Sequence, residues 1–238
     1  MDTRQICPAA PADDGMLLLG IDTCGPSGSV ALGRLAGGTA KTLGQIELEG
    51  RSYSATLVAA VGELLEQNGV RLRDVGAIVA VNGPGSFTGV RVGLSAVKGL
   101  AEGTQIAVVP VSRLEVLAWK AGVGSSALDA HRGEVFLRVG EPDPGATELL
   151  AGAKELGAMN PGRMRIAVCD HAAQALLRAA WPAAELVRTP APTAEDALRL
   201  CAARVAAGEF VDLALLDGHY LRRSDAEIFG EAAGPHRA

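Results

Sequence analysis

Residues 81–102 read VNGPGSFTGVRVGLSAVKGLAE, a glycine-rich turn that passes directly into a patterned helix. The apolar run at 78–81 ends in Asn82-Gly83-Pro84-Gly85, which reads as a buried strand stopped by residues that permit unusual backbone angles. Thr88 is the expected N-cap. At about 100° per residue from Gly89, three faces separate. Val90, Leu94, Val97 and Ala101 form one, Gly89, Gly93, Ala96 and Gly103 a second, and Arg91, Ser95, Lys98 and Glu102 a third. An interior glycine costs about 1 kcal/mol against alanine, so Gly93 and Gly99 together give up about 2 kcal/mol that packing must offset. Something therefore approaches this helix closely. The candidates are the chain's own sheet, a neighbouring helix, a phosphate at the helix N-terminus, or another protein.

Upstream of this stretch, residues 16–21 form a continuous apolar strand that stops at Asp22-Thr23, and 29–32 return as its hairpin partner after the turn at 25–28. A third strand is expected at 42–48. Ser52 is then placed to cap a helix whose Tyr53, Leu57, Val61, Leu64 and Leu65 share one face and which Asn68-Gly69 ends. With the strand at 77–81 and the helix after it, the order is β-β-β-α-β-α. Downstream, 106–111 is another buried strand, 112–121 a helix, and 126–138 a second hairpin. Ile21-Asp22-Thr23 corresponds to Leu128-Asp129-Ala130 at an offset of 107, and residues 28–32 correspond to 133–137 at an offset of 105. A nearly constant offset points to duplication, and a period this long excludes a solenoid. In the rest of the chain, 141–145 reads as a loop, 165–169 as a strand and 172–180 as a helix. Thr193 with Asp196 forms a capping box for a helix at 194–207 that Gly208 terminates.

Length and composition bound the function. A chain of 238 residues suits two modest domains or one large one, and either can bury a full core. With 22 Lys+Arg against 27 Asp+Glu, it lacks the basic excess of a protein that grips nucleic acid through many phosphate contacts. Cys7, Cys24, Cys169 and Cys201 show neither close pairing nor metal-type spacing, which fits a cytoplasmic location. Residues 1–15 carry no signal-type apolar core and read as a disordered extension, and no apolar run reaches the roughly 20 residues of a membrane span.

Two features could carry chemistry. A strand ending in Asp22-Thr23 before a polar turn can serve as a phosphate or metal loop, with Asp129 as its counterpart; the plain alternative is that both carboxylates cap turns. Gly83, Gly85 and Ser86 could likewise cradle phosphate through backbone N–H groups, yet the loop lacks the lysine of GxxxxGK[ST] and is not GxGxxG. His131, His171, His219 and His236 are scattered and form no metal-binding pair, and Ser86 does not sit in a nucleophile elbow. No catalytic residue and no metal ligand is assigned. His131-Arg132-Gly133-Glu134 and Tyr220-Leu221-Arg222-Arg223 offer charge that is either a solvated surface or a contact for an anionic partner.

The segment 83–101, together with Ile21-Asp22-Thr23, residues 29–32, residues 129–136 and residues 220–223, resembles the TsaB (YeaZ-like) family of bacterial tRNA threonylcarbamoyladenosine biosynthesis proteins. The resemblance covers about residues 16–227. It implies an α/β, duplicated actin-like (ASKHA, ribonuclease H-like) fold, with an N-terminal domain at 16–111, a second, degenerate domain at 112–227 whose end can pack back on the first, and a frayed tail at 228–238. It implies a non-catalytic subunit that activates TsaD, the transferase acting on adenosine 37 of tRNAs reading ANN codons, with TsaE completing the complex and tRNA met only within it. No cofactor of its own is implied; ATP or ADP and metal belong to the partner subunits. TsaD carries an H-x-x-x-H metal motif where this chain has Arg113 and Leu117. The family pairs through the two helices of the first domain, so Tyr53, Leu57, Val61, Leu64, Gly89, Gly93, Ala96 and Leu100 are the expected contacts with TsaD, or with a second copy when the protein is alone. Gly93→Leu would then weaken pairing without unfolding the chain. Asp22, Thr23, Gly83, Gly85 and Ser86 would be nucleotide-proximal. Arg51 stands where the family usually has histidine. The rival readings are an actin-like nucleotide-binding enzyme or a glycoprotease-like peptidase.

Overall fold

The computed structural model describes residues 15–49, 52–140 and 145–222. The N-terminal extension, Arg51, most of the 141–145 loop and the tail lie outside the described residues. Two runs of elements follow one another. The first is β1 (Met16–Asp22), β2 (Ser27–Ala36), β3 (Thr39–Glu49), α1 (Tyr53–Gln67), β4 (Val75–Val81), α2 (Phe87–Thr104), β5 (Ala107–Val111) and α3 (Arg113–Lys120). The second is β6 (Ser125–Asp129), β7 (Val135–Val139), β8 (Thr147–Ala151), α4 (Ala153–Ala158), β9 (Arg165–Val168), α5 (His171–Ala180), β10 (Glu185–Arg188) and α6 (Ala194–Ala206). Their sheets have matching orders, β3-β2-β1-β4-β5 and β8-β7-β6-β9-β10, each with an antiparallel meander extended by two parallel strands. This is the duplicated actin-like fold. The second copy is reduced, with strands of four or five residues against five to eleven in the first.

The repeat is real, but its register differs by one residue from the sequence correspondence. Ile21 pairs with Val30 and Leu128 with Phe136, which makes Val30 and Phe136 equivalent at an offset of 106 rather than 105. The first hairpin turn is one residue longer than the second, and an alignment on glycines places that residue on the wrong side. A one-residue slip exchanges the two faces of a strand, so the pairing decides which residues are equivalent.

All of Leu17 to Asp22 is buried, so helices must cover both faces of the first sheet. One covering layer is local. Helices α1 and α2 pack on β1 to β4 and on each other, and Tyr53, Leu57, Val61 and Leu64 fill the space beneath α1. The other layer comes from the far end of the chain, because α6 packs across all five strands through Ala194, Ala197, Leu198, Cys201 and Val205. Helix α3 does the reverse: it follows the last strand of the first sheet yet packs on β6, β7 and β9, with Leu114 and Leu117 against Leu128, Phe136 and Ala167. Each sheet is thus closed by a helix that belongs in sequence to the other.

Two expected caps shift. Ser86, not Thr88, caps α2, accepting from the Gly89 N–H at 3.2 Å. Ser52 precedes α1 without capping it, since its hydroxyl donates to the Glu49 carbonyl. The Thr193–Asp196 capping box forms as expected, each side chain accepting from the other's backbone N–H.

Candidate functional site

The turn after β1 lies against the start of α2, and the contact is made by glycines at a spacing of four. A Cβ on Gly85 would stand 2.1 Å from the Cys24 carbonyl oxygen, one on Gly89 would stand 2.1 Å from the Thr23 carbonyl oxygen, and one on Gly93 would stand 2.2 Å from Thr23 Oγ1. No side chain fits there, so the three positions form a groove that the chain's own turn occupies. Hydrogen bonds fix the seat. Thr23 Oγ1 donates to the Gly89 carbonyl at 2.7 Å, Ser86 N donates to the Cys24 carbonyl at 2.8 Å, and the Tyr53 hydroxyl donates to the Gly25 carbonyl at 2.9 Å. Burial, with the Asp22 charge adding to it, raises the Tyr53 hydroxyl to about 12.

Asp22 is buried and fully engaged. Its Oδ1 accepts from Cys24 N at 2.8 Å, and its Oδ2 accepts from Arg113 Nε at 3.4 Å. Arg113 is the first residue of α3, placed by its backbone N–H donating to the Gly83 carbonyl at 2.6 Å. Its guanidinium lies over the turn, where a Cβ on Gly25 would come within 2.3 Å of Nη2. Burial, the largest single influence, would lower the guanidinium pKa, but the Asp22 charge and hydrogen bond together with Cys24 and Cys169 raise it overall, keeping Arg113 charged. Burial pushes the Cys24 thiol well up, so that cysteine is an inert part of the turn.

Asp129 repeats the local geometry of Asp22. Its Oδ1 accepts from His131 N at 2.8 Å, as Asp22 accepts from the residue two positions on, but its Oδ2 pairs with its neighbour His131 instead of a buried arginine. Asp129 N donates to Asp170, the N-cap of α5.

A second polar cluster joins elements far apart in sequence. Glu148 on β8 accepts from Ser112 Oγ at 2.7 Å and Arg138 Nη1 at 2.9 Å, and pairs with His219 Nε2 at 2.7 Å. Burial opposes its charge, yet these hydrogen bonds hold its carboxyl below the usual range. The cluster lines a cavity of about 350 Å³ with Asn82, Glu115 and Arg204. His219 belongs to a strap, residues 209–222, that ties the two sheets. Val211 bridges to Val108, His219 N donates to the Asn82 carbonyl, and Arg222 donates to the Ala130 carbonyl and pairs with Glu134.

The expected site residues divide accordingly. Asp22, Thr23, Gly83, Gly85 and Ser86 do converge, but on one another: the carboxylate, the glycine groove and the Ser86 N–H are taken by the chain itself. Of the expected partner contacts, Tyr53, Leu57, Val61 and Leu64 are core residues, and Gly89 and Gly93 are closed by Thr23. Gly93→Leu would therefore strike the fold before it affected any partner. Ala96 and Leu100 remain half-buried, while the outward side of the helix pair is formed by Ala55, Val58, Ala59 and Gly62 of α1 with Ser95 and Gly99 of α2. Val58 is 62% exposed, and a Cβ at Gly62 or Gly99 would meet nothing within 4 Å. Glu148 and Arg138 carry no sequence signal, because nothing local distinguishes two charges on short strands. Arg113 stands out only by its place in the resemblance.

Among the described residues no group of three or more His, Cys, Asp or Glu is placed to hold a metal ion, and no helix is long and apolar enough to cross a membrane. Residues 45–142 match the family profile of TsaD, tRNA N6-adenosine threonylcarbamoyltransferase. The chain is 35% identical over 127 residues to the tRNA threonylcarbamoyladenosine biosynthesis protein TsaB of Escherichia coli (strain K12), a match covering 51% of this chain and 53% of the relative. The TsaB of Bacillus subtilis (strain 168) is 34% identical over 125 residues, with 51% and 53% covered. These matches span about half the length of the curated relatives. A solved protein from Pseudomonas aeruginosa, described as similar to peptidase YEAZ, superposes with a TM-score of 0.71 at 30% identity, covering 87% of this chain and 100% of its own. With that glycine-lined turn, the duplicated sheets and a 30% identity running the whole length of a solved YeaZ-like protein, the chain belongs to the TsaB/YeaZ family.

Proposed function

We propose that this chain is a non-catalytic subunit of the system that forms N6-threonylcarbamoyladenosine at position 37 of tRNAs reading ANN codons, where it binds and activates a TsaD-type transferase and TsaE completes the assembly. The observation that carries this reading is the buried Asp22–Arg113 pair at 3.4 Å. In an actin-like enzyme the carboxylate ending the first strand faces phosphate or metal. Here a guanidinium from α3 takes that carboxylate, and the turn beside it fills its own glycine groove. Nucleotide and metal then belong to the partner subunits, and tRNA is met only within the complex. The names of the relatives, TsaB for the curated proteins and TsaD for the matching profile, support the pathway.

The docking face in this reading is the outward side of α1 and α2, with Val58 at its middle and Ala55, Ala59, Gly62 and Gly99 letting a partner helix approach closely; Ala96 and Leu100 lie at its margin. An isolated chain would use the same face to pair with a second copy. The test is reconstitution of tRNA modification from the transferase and TsaE with and without this chain. Product that rises when the chain is added supports the reading; equal product in both reactions overturns it.

A further inference from the structure

Phe87 and Tyr220 are two of the chain's six phenylalanines and tyrosines, and both lie at the surface, 46% and 40% exposed. Their ring centroids are 5.3 Å apart, and Arg91, one turn along α2, lays its guanidinium 3.8 Å over the Phe87 ring. Among the described residues no carboxylate lies within ion-pair distance of Arg91. Leu215, 75% exposed, stands in the short 3-10 turn that packs on α2. Exposed aromatic rings with a stacked arginine are the make-up of an interface anchor.

The chain itself holds a segment of matching chemistry. Tyr220 is two residues from the end of the strap, and residues 223–238 follow it. Within them Ile228 and Phe229 are the only large apolar side chains, and Asp225, Glu227 and Glu231 flank them with no basic residue between 224 and 234. Phe229 lies nine positions beyond Tyr220, a reach of up to ~30 Å, and Tyr220 is itself part of the patch. A tether this short gives an effective concentration on the order of millimolar.

We propose that residues 225–231 dock in cis on the Phe87–Tyr220–Arg91 surface, with Phe229 extending the tilted aromatic pair and the flanking carboxylates pairing with Arg91. The docked segment covers the N-terminal end of α2. This inference does not depend on the transferase reading, which concerns the middle of the α1–α2 face.

A photo-crosslinking residue (benzoylphenylalanine) at position 229 of the full chain should give intramolecular adducts mapping to 86–91 or 217–221. A fluorescein-labelled peptide of residues 224–234 should bind a chain ending at Arg223 at least tenfold more tightly than the full chain, whose own tail competes. Arg91→Glu in the shortened chain should weaken that peptide at least tenfold at unchanged Tm. In the full chain, Ile228→Ser with Phe229→Ser should restore peptide binding to the level of the shortened chain. Adducts elsewhere, adducts only between two copies, or peptide binding indifferent to Arg91→Glu would each overturn the proposal, and the second of these would make another copy the occupant.

Discussion

Gly89→Ala is the sharpest test of the glycine groove. The added methyl would lie 2.1 Å from the Thr23 carbonyl oxygen, which is backbone, so the turn must retreat by about 1.3 Å to reach ordinary contact. Forcing a methyl into a packed interior costs about 1–3 kcal/mol. The retreat also breaks the 2.7 Å bond from Thr23 Oγ1 to the Gly89 carbonyl, worth about 1–3 kcal/mol when its groups stay buried. Alanine's better helix propensity returns about 1 kcal/mol, which leaves a net loss of about 3 kcal/mol. In a chain of this size that lowers Tm by roughly 6–12 °C. Gly99→Ala, on the same helix but with nothing within 4 Å of the new methyl, receives only the propensity gain and should raise Tm by roughly 2–4 °C. Calorimetric melts of both variants decide the matter. A Gly89→Ala chain that melts at or above the parent would refute the groove.

Three further outcomes follow from the same contacts. Arg113→Met leaves the Asp22 carboxylate buried without its cation and should cost about 3–5 kcal/mol, most of it recovered by adding Asp22→Asn; a neutral single variant would show the pair to be irrelevant to stability. Glu148 has a folded pKa below its unfolded value, so its contribution is fully present above the ordinary carboxyl range and fades as pH falls through the folded value. Glu148→Gln should accordingly melt lower than the parent at pH 7 and converge with it in acid, and parallel Tm–pH curves would contradict this. Val58→Asp, on the outward side of α1, should leave the unfolding free energy within about 0.5 kcal/mol of the parent while weakening transferase binding at least tenfold by calorimetry; unchanged binding would remove the docking face.

Much of the architecture was legible because it is written in short-range patterns. The period-two and continuous apolar runs located β1 to β7 and β9, the Thr193–Asp196 box marked the start of α6, and the repeated Asp22 and Asp129 hairpins announced the duplication. The candidate site was legible as a set of residues, but not which of them the chain itself buries. Gly93 and Gly99 look alike in the sequence, both interior helix glycines. The first is closed by Thr23 and the second faces open space, and only the position of a turn some seventy residues upstream tells them apart. The resemblance sets the apolar stripe of α1 against a partner, whereas it fills the core, and a stripe has the same periodicity whether it meets its own sheet or a partner's helix.

By itself, then, the sequence determined which segments become strands and helices, that two such units follow one another, and that something must press closely on α2. These depend on backbone propensity and on periodicity within a few residues. The tertiary structure decided what presses on α2, where the Asp22 charge goes, which helix closes which sheet, and how the 209–222 strap joins Asn82, Glu148 and Glu134. Those are contacts between residues tens to more than a hundred positions apart. They follow from burying both faces of each sheet and pairing every interior charge at once, a condition that no local pattern of residues expresses.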